Sequence, residues 1–486
     1  MTATAVRHLK SLVGGRAIEG RGALRSLVDA RSGVAITQYH ELEASQVHEA
    51  VESSAAAQPA WASLAPATRS DILRRAAHLI SEQSAEIQKL ESLDTGRVIA
   101  EMEGDIASAV DCLQHFAGIA PTFGGQMLDV QSPNWGYTRR EPFGVTAGIG
   151  AWNYPLQSAA WKSASALAFG NSMIFKPSEE TPLTALRLAQ IYLDAGVPPG
   201  VFNVVLGAGS VGAALVAHEA VRKVSFTGSA ATGKRVYAAC AEGLKPATME
   251  LGGKSALIVF ADANVHDAVS GAMLGNWFSN GQVCSNGTRV FVQREILEPF
   301  VACLVERTMR LRIGDNLDPT SDIGPMIHAA HLAKVESYIT QGQLEGATLL
   351  YGGTRVGDAG GNYILPAIFT NCTDEMRIVQ EEIFGMVCAI LPFDSEDEVV
   401  TRANASPLGL AAGVFTNDLR RAHRTIASLA VGTSWINTYN IAPVELPWGG
   451  YKQSGIGREN GIAGAHAWTQ LKSIYVEMDK VPCPYA

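Results

Sequence analysis

The sequence predicts an α/β protein organised around a doubly wound, largely parallel sheet. Three observations predict it. From about residue 143, short apolar runs at 145–149, 172–176, 202–206 and 224–226 alternate with helical patterns at 156–168 and 184–195. A second α/β pattern runs from about 251 to 435, with strands at 255–260, 289–293, 389–393 and 432–437 and a helix over 265–278. Turn-rich segments such as Trp152-Asn-Tyr-Pro155 and Thr227-Gly-Ser229 follow the strands, and sheets of this kind bind ligands at the carboxyl ends of their strands.

Taken in order, residues 45–120 read as helices, with Ser45 and Ser70 as N-caps. Ile72, Ala76, Leu79, Ile80, Ile87 and Leu90 recur at helical spacing there, a pattern of structure without chemistry. Residues 121–142 read as an extended arm, and 471–478 alternates like a strand; both are candidates for pairing between subunits. The 486 residues suit two or three domains. A net charge of −9 without a long basic run gives no footprint for nucleic acid. No apolar run reaches membrane-spanning length, and Met1-Thr-Ala-Thr-Ala-Val-Arg-His8 lacks the apolar core of a secretory signal. Seven cysteines, odd in number and scattered, indicate neither a disulfide framework nor a metal site; a reducing, cytoplasmic compartment fits.

Several residues invite chemistry, each beside a plainer explanation. Cys284, in Asn280-Gly-Gln-Val-Cys-Ser-Asn-Gly-Thr-Arg289, sits among small residues that leave room for a carbonyl to reach its sulfur, although a lone cysteine is more often core packing. Glu250, heading Glu-Leu-Gly-Gly-Lys254, is a general base if partly buried and a cap or surface carboxylate if not. Asn153 offers an amide to an oxyanion or closes an Asx turn before Pro155. Gly207-Ala-Gly-Ser-Val-Gly212 matches the dinucleotide fingerprint but lacks the acid about 20 residues on, so a tight turn explains it equally well. Gly228-Ser-Ala-Ala-Thr-Gly233 is a second strand-to-helix turn able to present amides to phosphate. Lys176 and Glu179 are placed to bond ribose hydroxyls, the carboxylate disfavouring a 2′-phosphate; a solvated pair is the plainer alternative.

The ordered set Trp152-Asn-Tyr-Pro155, Lys176-Pro-Ser-Glu179, Phe226-Thr-Gly-Ser229, Glu250-Leu-Gly-Gly-Lys254, Gly281-Gln-Val-Cys284, Glu381-Glu-Ile-Phe-Gly385 and Pro447-Trp-Gly-Gly450 closely resembles the NAD(P)-dependent aldehyde dehydrogenase superfamily, over about residues 10–478. The resemblance implies three parts: a Rossmann-like cofactor domain (1–120, 143–250 and 442–469), an α/β catalytic domain (251–441) and a β-strand oligomerisation arm (121–142 and 470–486). It implies a homo-oligomer, a tetramer more than a dimer. Cys284 would be the nucleophile, Glu250 the base, Asn153 the side-chain half of the oxyanion hole and Lys162 an aid to proton exchange. Ile149, Trp152, Lys176, Glu179, Gly209, Gly228, Ser229, Thr232, Leu251, Glu382 and Phe384 would hold NAD, with NADP a weaker alternative. Two departures stand out. Met386 replaces the usual proline and is expected to loosen the loop carrying Glu382; Gln470 replaces a glutamate that some relatives offer as a second base.

Tyr154, Trp161, Phe278 and Trp448 would line the aldehyde tunnel. Four aromatic faces suit a quaternary ammonium, and generic apolar lining is the alternative. The stretches 281–292, 449–460 and 436–443 resemble betaine-aldehyde and 4-trimethylaminobutyraldehyde dehydrogenases. Aminoaldehyde oxidation is the runner-up. A CoA-acylating enzyme fits less well with Glu250 in place, and a catalytically retired structural protein on the same fold is the reading from another class.

Overall fold

The computed structural model describes residues 8–357, 361–481 and 483–485. Residues 1–7, read above as carrying no signal, lie outside these, as do 358–360, 482 and 486 of the expected catalytic and arm segments.

Two large sheets carry the chain. The first has eight strands in the spatial order Arg16–Ile18, Ser11–Val13, Phe202–Val204, Ser172–Lys176, Val145–Ile149, Lys223–Thr227, Ala247–Glu250, Gly455–Ile456. Its five central strands run parallel, and the pairs at both edges are antiparallel. Val145–Ile149 and Ser172–Lys176 are buried at every position, as expected of parallel strands covered on both faces. Their apolar runs, rather than alternation, are what made them readable.

Chain order in this sheet moves one way from Val145–Ile149 through Ser172–Lys176 to Phe202–Val204, then the other way through Lys223–Thr227 to Ala247–Glu250. The reversal leaves a crevice beyond the carboxyl ends of Val145–Ile149 and Lys223–Thr227.

The second sheet has seven strands, ordered Thr348–Tyr351, Ala367–Thr370, Val387–Phe393, Arg289–Gln293, Ala256–Val259, Ala411–Phe415, Thr433–Ile436. Only Thr348–Tyr351 is antiparallel. A continuous apolar core from Ala256 to Tyr439 packs around it, while separate clusters cover the first sheet. Trp448 touches the second sheet's core and one cluster of the first, at the seam. Gln470–Val476, Asn134–Glu141 and Met127–Gln131 form a separate antiparallel sheet. Both arm segments expected from the sequence thus pair with each other within one chain.

Three expectations need correction. The helix Ala44–Ser63 starts at Glu43, whose N–H is taken by Gln46 Oε1 at 3.2 Å, and not at Ser45. Pro66 opens the next helix at a position where its missing N–H costs nothing, and Ser70 lies inside it, donating to Pro66 O. The helix expected over 265–278 stops at Leu274. Ser279 and Asn280 then adopt left-handed φ of 54° and 55°. Side-chain bonds explain this: Ser279 N–H donates to Glu101, and Asn280 Nδ2 donates to the carbonyls of Gly96 and Pro325.

Candidate active site

The strand ends stand abreast. Lys176 is opposite Ile149, Ile149 opposite Phe226, and Thr227 opposite Glu250. One cavity of about 1260 Å³ takes in these ends together with Cys284. A single small-molecule site typically spans ~300–1,000 Å³, so two ligands have room. Every site residue named from the sequence lines this cavity except Lys162.

Lys162 is wholly buried in the helix Pro155–Ala168, where its Nζ donates to Glu459 Oε1 and, at 2.9 Å, to Ser225 Oγ. It reaches Glu250 only through the field. Burial raises the Glu250 pKa well above the usual carboxylate range; Glu459 adds to the rise, and Lys162 and Arg458 oppose it. Both Glu250 oxygens are buried without a hydrogen-bond partner. A buried carboxyl facing the cavity in this state is one that a water or a substrate atom would satisfy.

Burial pushes the Cys284 thiol up to about 12, with Glu382 and Glu250 adding to it and the backbone N–H groups of Cys284 and Ser285 opposing. The Glu250 carboxylate thus acts on the Cys284 thiol across the same cavity. Asn153 is buried too, and its Nδ2 donates to Gln282 O at 2.9 Å, two residues before the sulfur. The second Nδ2 proton is the one available to an oxyanion.

The cavity walls fit a dinucleotide. The helix Gly209–Ala217 starts after Ala208, which offers no side-chain cap, and a Cβ on Gly209 would meet nothing within 4 Å. Its first-turn amides thus stand open to an anion. Lys176 Nζ donates to Pro177 O (2.7 Å) and Gly207 O (2.8 Å) and lies 3.4 Å from Glu179 Oε2. An acid absent downstream of the glycine motif thus stands instead after an earlier strand, beside the same cavity. Glu382 accepts from Gly253 N–H at 3.2 Å and lies directly over Gly252, where a Cβ would come within 2.1 Å of its carboxylate. Phe384, at φ 65°, packs edge-on against Trp152 at 5.1 Å and offers its carbonyl to His331 Nε2 at 2.7 Å. Met386 is 1% exposed, and its carbonyl accepts from Ala367 N–H. The loop expected to be loose is thus tied at each of these points.

Tyr154, Trp161, Phe278 and Trp448 share the cavity wall. Trp161 meets Trp448 edge-on at 6.1 Å, and Trp435 backs Trp448 at 6.4 Å. Tyr154 differs from what four free aromatic faces would require. The Arg97 guanidinium lies 4.1 Å over its ring, so one face already holds a cation from the protein itself.

The segment read as structure without chemistry supplies more. Asp105, Ser108 and Asp111 also line the cavity, as does Glu445. Asp105, Ser108 and Asp111 share the helix Met102–Ile119 at i, i+3 and i+6, a spacing visible in the sequence as one polar face. Glu459 lies in a stretch noticed only for its resemblance, and its burial has no sequence sign. All seven cysteines are free thiols. Among the described residues, His48, Glu52 and His218 bring metal-competent atoms within 4.8 Å of one another. Ala220 N–H donates to His218 Nδ1, which turns its Nε2–H toward His48 Nδ1 at 2.8 Å, and a hydrogen bond between the two rings accounts for the contact.

Comparison with known proteins bears on this geometry. Residues 20–474 match the aldehyde dehydrogenase family. The chain is 53% identical to a betaine aldehyde dehydrogenase of Mesorhizobium japonicum, over 97% of this chain and 98% of the relative. It is 52% identical to one from Brucella anthropi at the same coverage. Among solved structures, a betaine aldehyde dehydrogenase from Staphylococcus aureus in complex with NAD+ superposes with a TM-score of 0.95 at 36% identity, covering 98% of this chain and 96% of the other. An NAD-dependent aldehyde dehydrogenase from Sinorhizobium meliloti superposes with a TM-score of 0.96 at 36% identity, covering 99% and 96%.

Proposed function

The chain belongs to the aldehyde dehydrogenase family, and from that premise we propose that it oxidises a quaternary-ammonium aldehyde, such as betaine aldehyde or 4-trimethylaminobutyraldehyde, to the acid with NAD. The observation that carries the substrate class is the aromatic wall of the thiol end of the cavity, joined there by Asp105, Asp111 and Glu445. Aromatic faces and carboxylates both favour a cation, and neither needs it to donate a hydrogen bond.

In this reading the Cys284 thiolate attacks the aldehyde carbon. The resulting oxyanion takes hydrogen bonds from the free Asn153 amide proton and the Cys284 backbone N–H. NAD+, when bound, would supply the hydride acceptor. Lys176 and Glu179 would hold the adenosine ribose, Gly209, Gly228, Ser229 and Thr232 would line the adenine and pyrophosphate path, and Glu382 would hold the nicotinamide ribose, with Ile149, Trp152, Leu251 and Phe384 alongside. Loss of hydride leaves a thioester on Cys284. Glu250 removes a proton from water, whose oxygen attacks the thioester and expels the thiolate. Lys162 and Glu459 set the field in which Glu250 gains and loses that proton. NAD is preferred to NADP because the Glu179 carboxylate repels a 2′-phosphate.

The same carboxylates favour a second reading. An aminoaldehyde can donate N–H to Asp105, Asp111 or Glu445, which a trimethylammonium cannot. The test is kcat/KM for 4-trimethylaminobutyraldehyde, 4-aminobutyraldehyde and an uncharged aldehyde of equal length. A preference of about tenfold or more for the trimethylated cation over the uncharged aldehyde is expected; equal values would remove the cation reading. We further propose a homo-oligomer, a tetramer rather than a dimer, in the cytoplasm. Seven free thiols support that compartment.

A further inference from the structure

Arg97 lies behind the wall of the cavity and does not line it, yet its guanidinium reaches Asn153, Tyr154 and Asp105, three of the residues that do. It is fully buried, at 0% exposure. One terminal nitrogen donates to Asp105 Oδ2 and, at 3.3 Å, to the carbonyl of Asn153. The other donates to Asp105 Oδ1 at 3.3 Å and lies 3.6 Å from Glu101 Oε2. The plane of the group stacks on Tyr154. Glu101 in turn accepts the N–H of Ser279, whose hydroxyl meets the Tyr154 hydroxyl at 2.7 Å. That bond holds the left-handed turn leading into Cys284. Glu91 completes the frame from below, taking the Leu156 N–H at the start of the helix Pro155–Ala168.

We propose that Arg97 is the positioning residue of the aldehyde end, fixing Asn153 through its carbonyl and Tyr154 through its ring while its ion pair with Glu101 anchors the turn before the nucleophile. The inference rests on the function proposed above. Its physical basis is the planar fork: two terminal nitrogens held in one plane serve a carboxylate and a carbonyl while the guanidinium lies over an aromatic face, which an ammonium on a flexible stem cannot do. Lysine at this place keeps the charge but must give up at least one of those contacts.

The test compares Arg97→Lys with the parent enzyme, and with Arg97→Gln/Asp105→Asn, which removes both charges of the closest pair so that Asp105 is not left as an unpaired buried charge. Three quantities are read: kcat and KM for the aldehyde, NAD+ affinity of the free enzyme by titration, and hydrogen exchange of peptides covering 150–156, 278–284 and 207–217. Misplacement of a reacting group by about 1 Å costs about 10²-fold, and a loss of that order in kcat is expected for Arg97→Lys. NAD+ affinity and protection of 207–217 should be unchanged, with faster exchange confined to 150–156 and 278–284. Unchanged kcat, or equal losses in kcat and NAD+ affinity with faster exchange everywhere, would overturn the proposal. Should the parent enzyme oxidise no aldehyde, the functional reading fails by itself, and the exchange pattern alone decides whether Arg97 positions the two segments.

Discussion

Both oxygens of Glu250 are buried without a hydrogen bond, and burial holds the proton on well above the usual carboxylate range. An unfolded glutamate titrates near ~4.3, so between that value and the folded one the native state carries the extra proton. The stability this gives is full below the unfolded value and is lost as pH rises through the folded one. Glu250→Gln should therefore match the parent in thermal stability near pH 4 and exceed it increasingly toward pH 8, by ~2–4 °C for each kcal/mol. A thermal-denaturation series across pH checks this; a parallel pair of curves would show that Glu250 does not titrate as described. The same substitution should lower steady-state oxidation by roughly 10²–10⁴-fold. At the cofactor end, Glu179→Ala should narrow the preference for NAD over NADP, read as the ratio of kcat/KM values with the two cofactors. Residue identities at the cavity were largely legible because Glu250, Asn153, Lys176 and Glu179 fall at or just after strand ends that short apolar runs announce, and Cys284 stands among small residues in a motif of the resembling family. Arg97 and Glu459 were not, because nothing local marks a charge that will be buried by a segment far away in the chain.

At the scale of elements, close backbone approach sets the shape of the cavity. Gly449 has φ 154°, and a Cβ there would meet Glu250 Oε1 at 2.9 Å. Gly252 leaves space for the Glu382 carboxylate, and Gly281 lets the loop before Cys284 pass the backbone of Gly385, where a Cβ would come within 2.5 Å. Gly449→Ala should displace Glu250 and reduce kcat with little effect on NAD+ affinity, whereas Gly252→Ala should displace Glu382 and weaken NAD+ binding first. Steady-state kinetics and NAD+ titration of the pair would separate the two effects, and identical profiles would contradict the assignment of one glycine to each carboxylate. Eight parallel strands were readable as apolar runs, with ends that agree within about two residues, whereas Ala247–Glu250, Ala367–Thr370 and Ala411–Phe415 were not singled out. Helix ends were less so. Gln83 closes Pro66–Glu82 and opens Ser84–Thr95 within one continuous apolar pattern, and the end of Val265–Leu274 gives way to a turn fixed by Glu101 from another part of the chain.

For the whole molecule, two doubly wound sheets meet at a seam where Trp448 packs against both cores, and the cavity opens along the carboxyl ends of the first. The alternation of strands and helices made this architecture legible, and seven motifs in one order made the family legible. How the arm folds back on itself was not, since an alternating strand does not name its partner. Met127, Leu128, Val130, Leu471 and Tyr475 expose apolar side chains on the arm sheet. Charged substitutions at Leu128 and Leu471 should reduce the mass measured by light scattering from that of a tetramer, without unfolding the monomer. In the proposed mechanism Cys284 and Glu250 act in sequence on one carbonyl carbon. Intact-mass and peptide analysis of Glu250→Gln after mixing with 4-trimethylaminobutyraldehyde and NAD+ reads that order off the protein. One acyl group should accumulate on Cys284 alongside a single burst of NADH. Continued turnover with an unmodified Cys284 would show that the two residues do not act in this way.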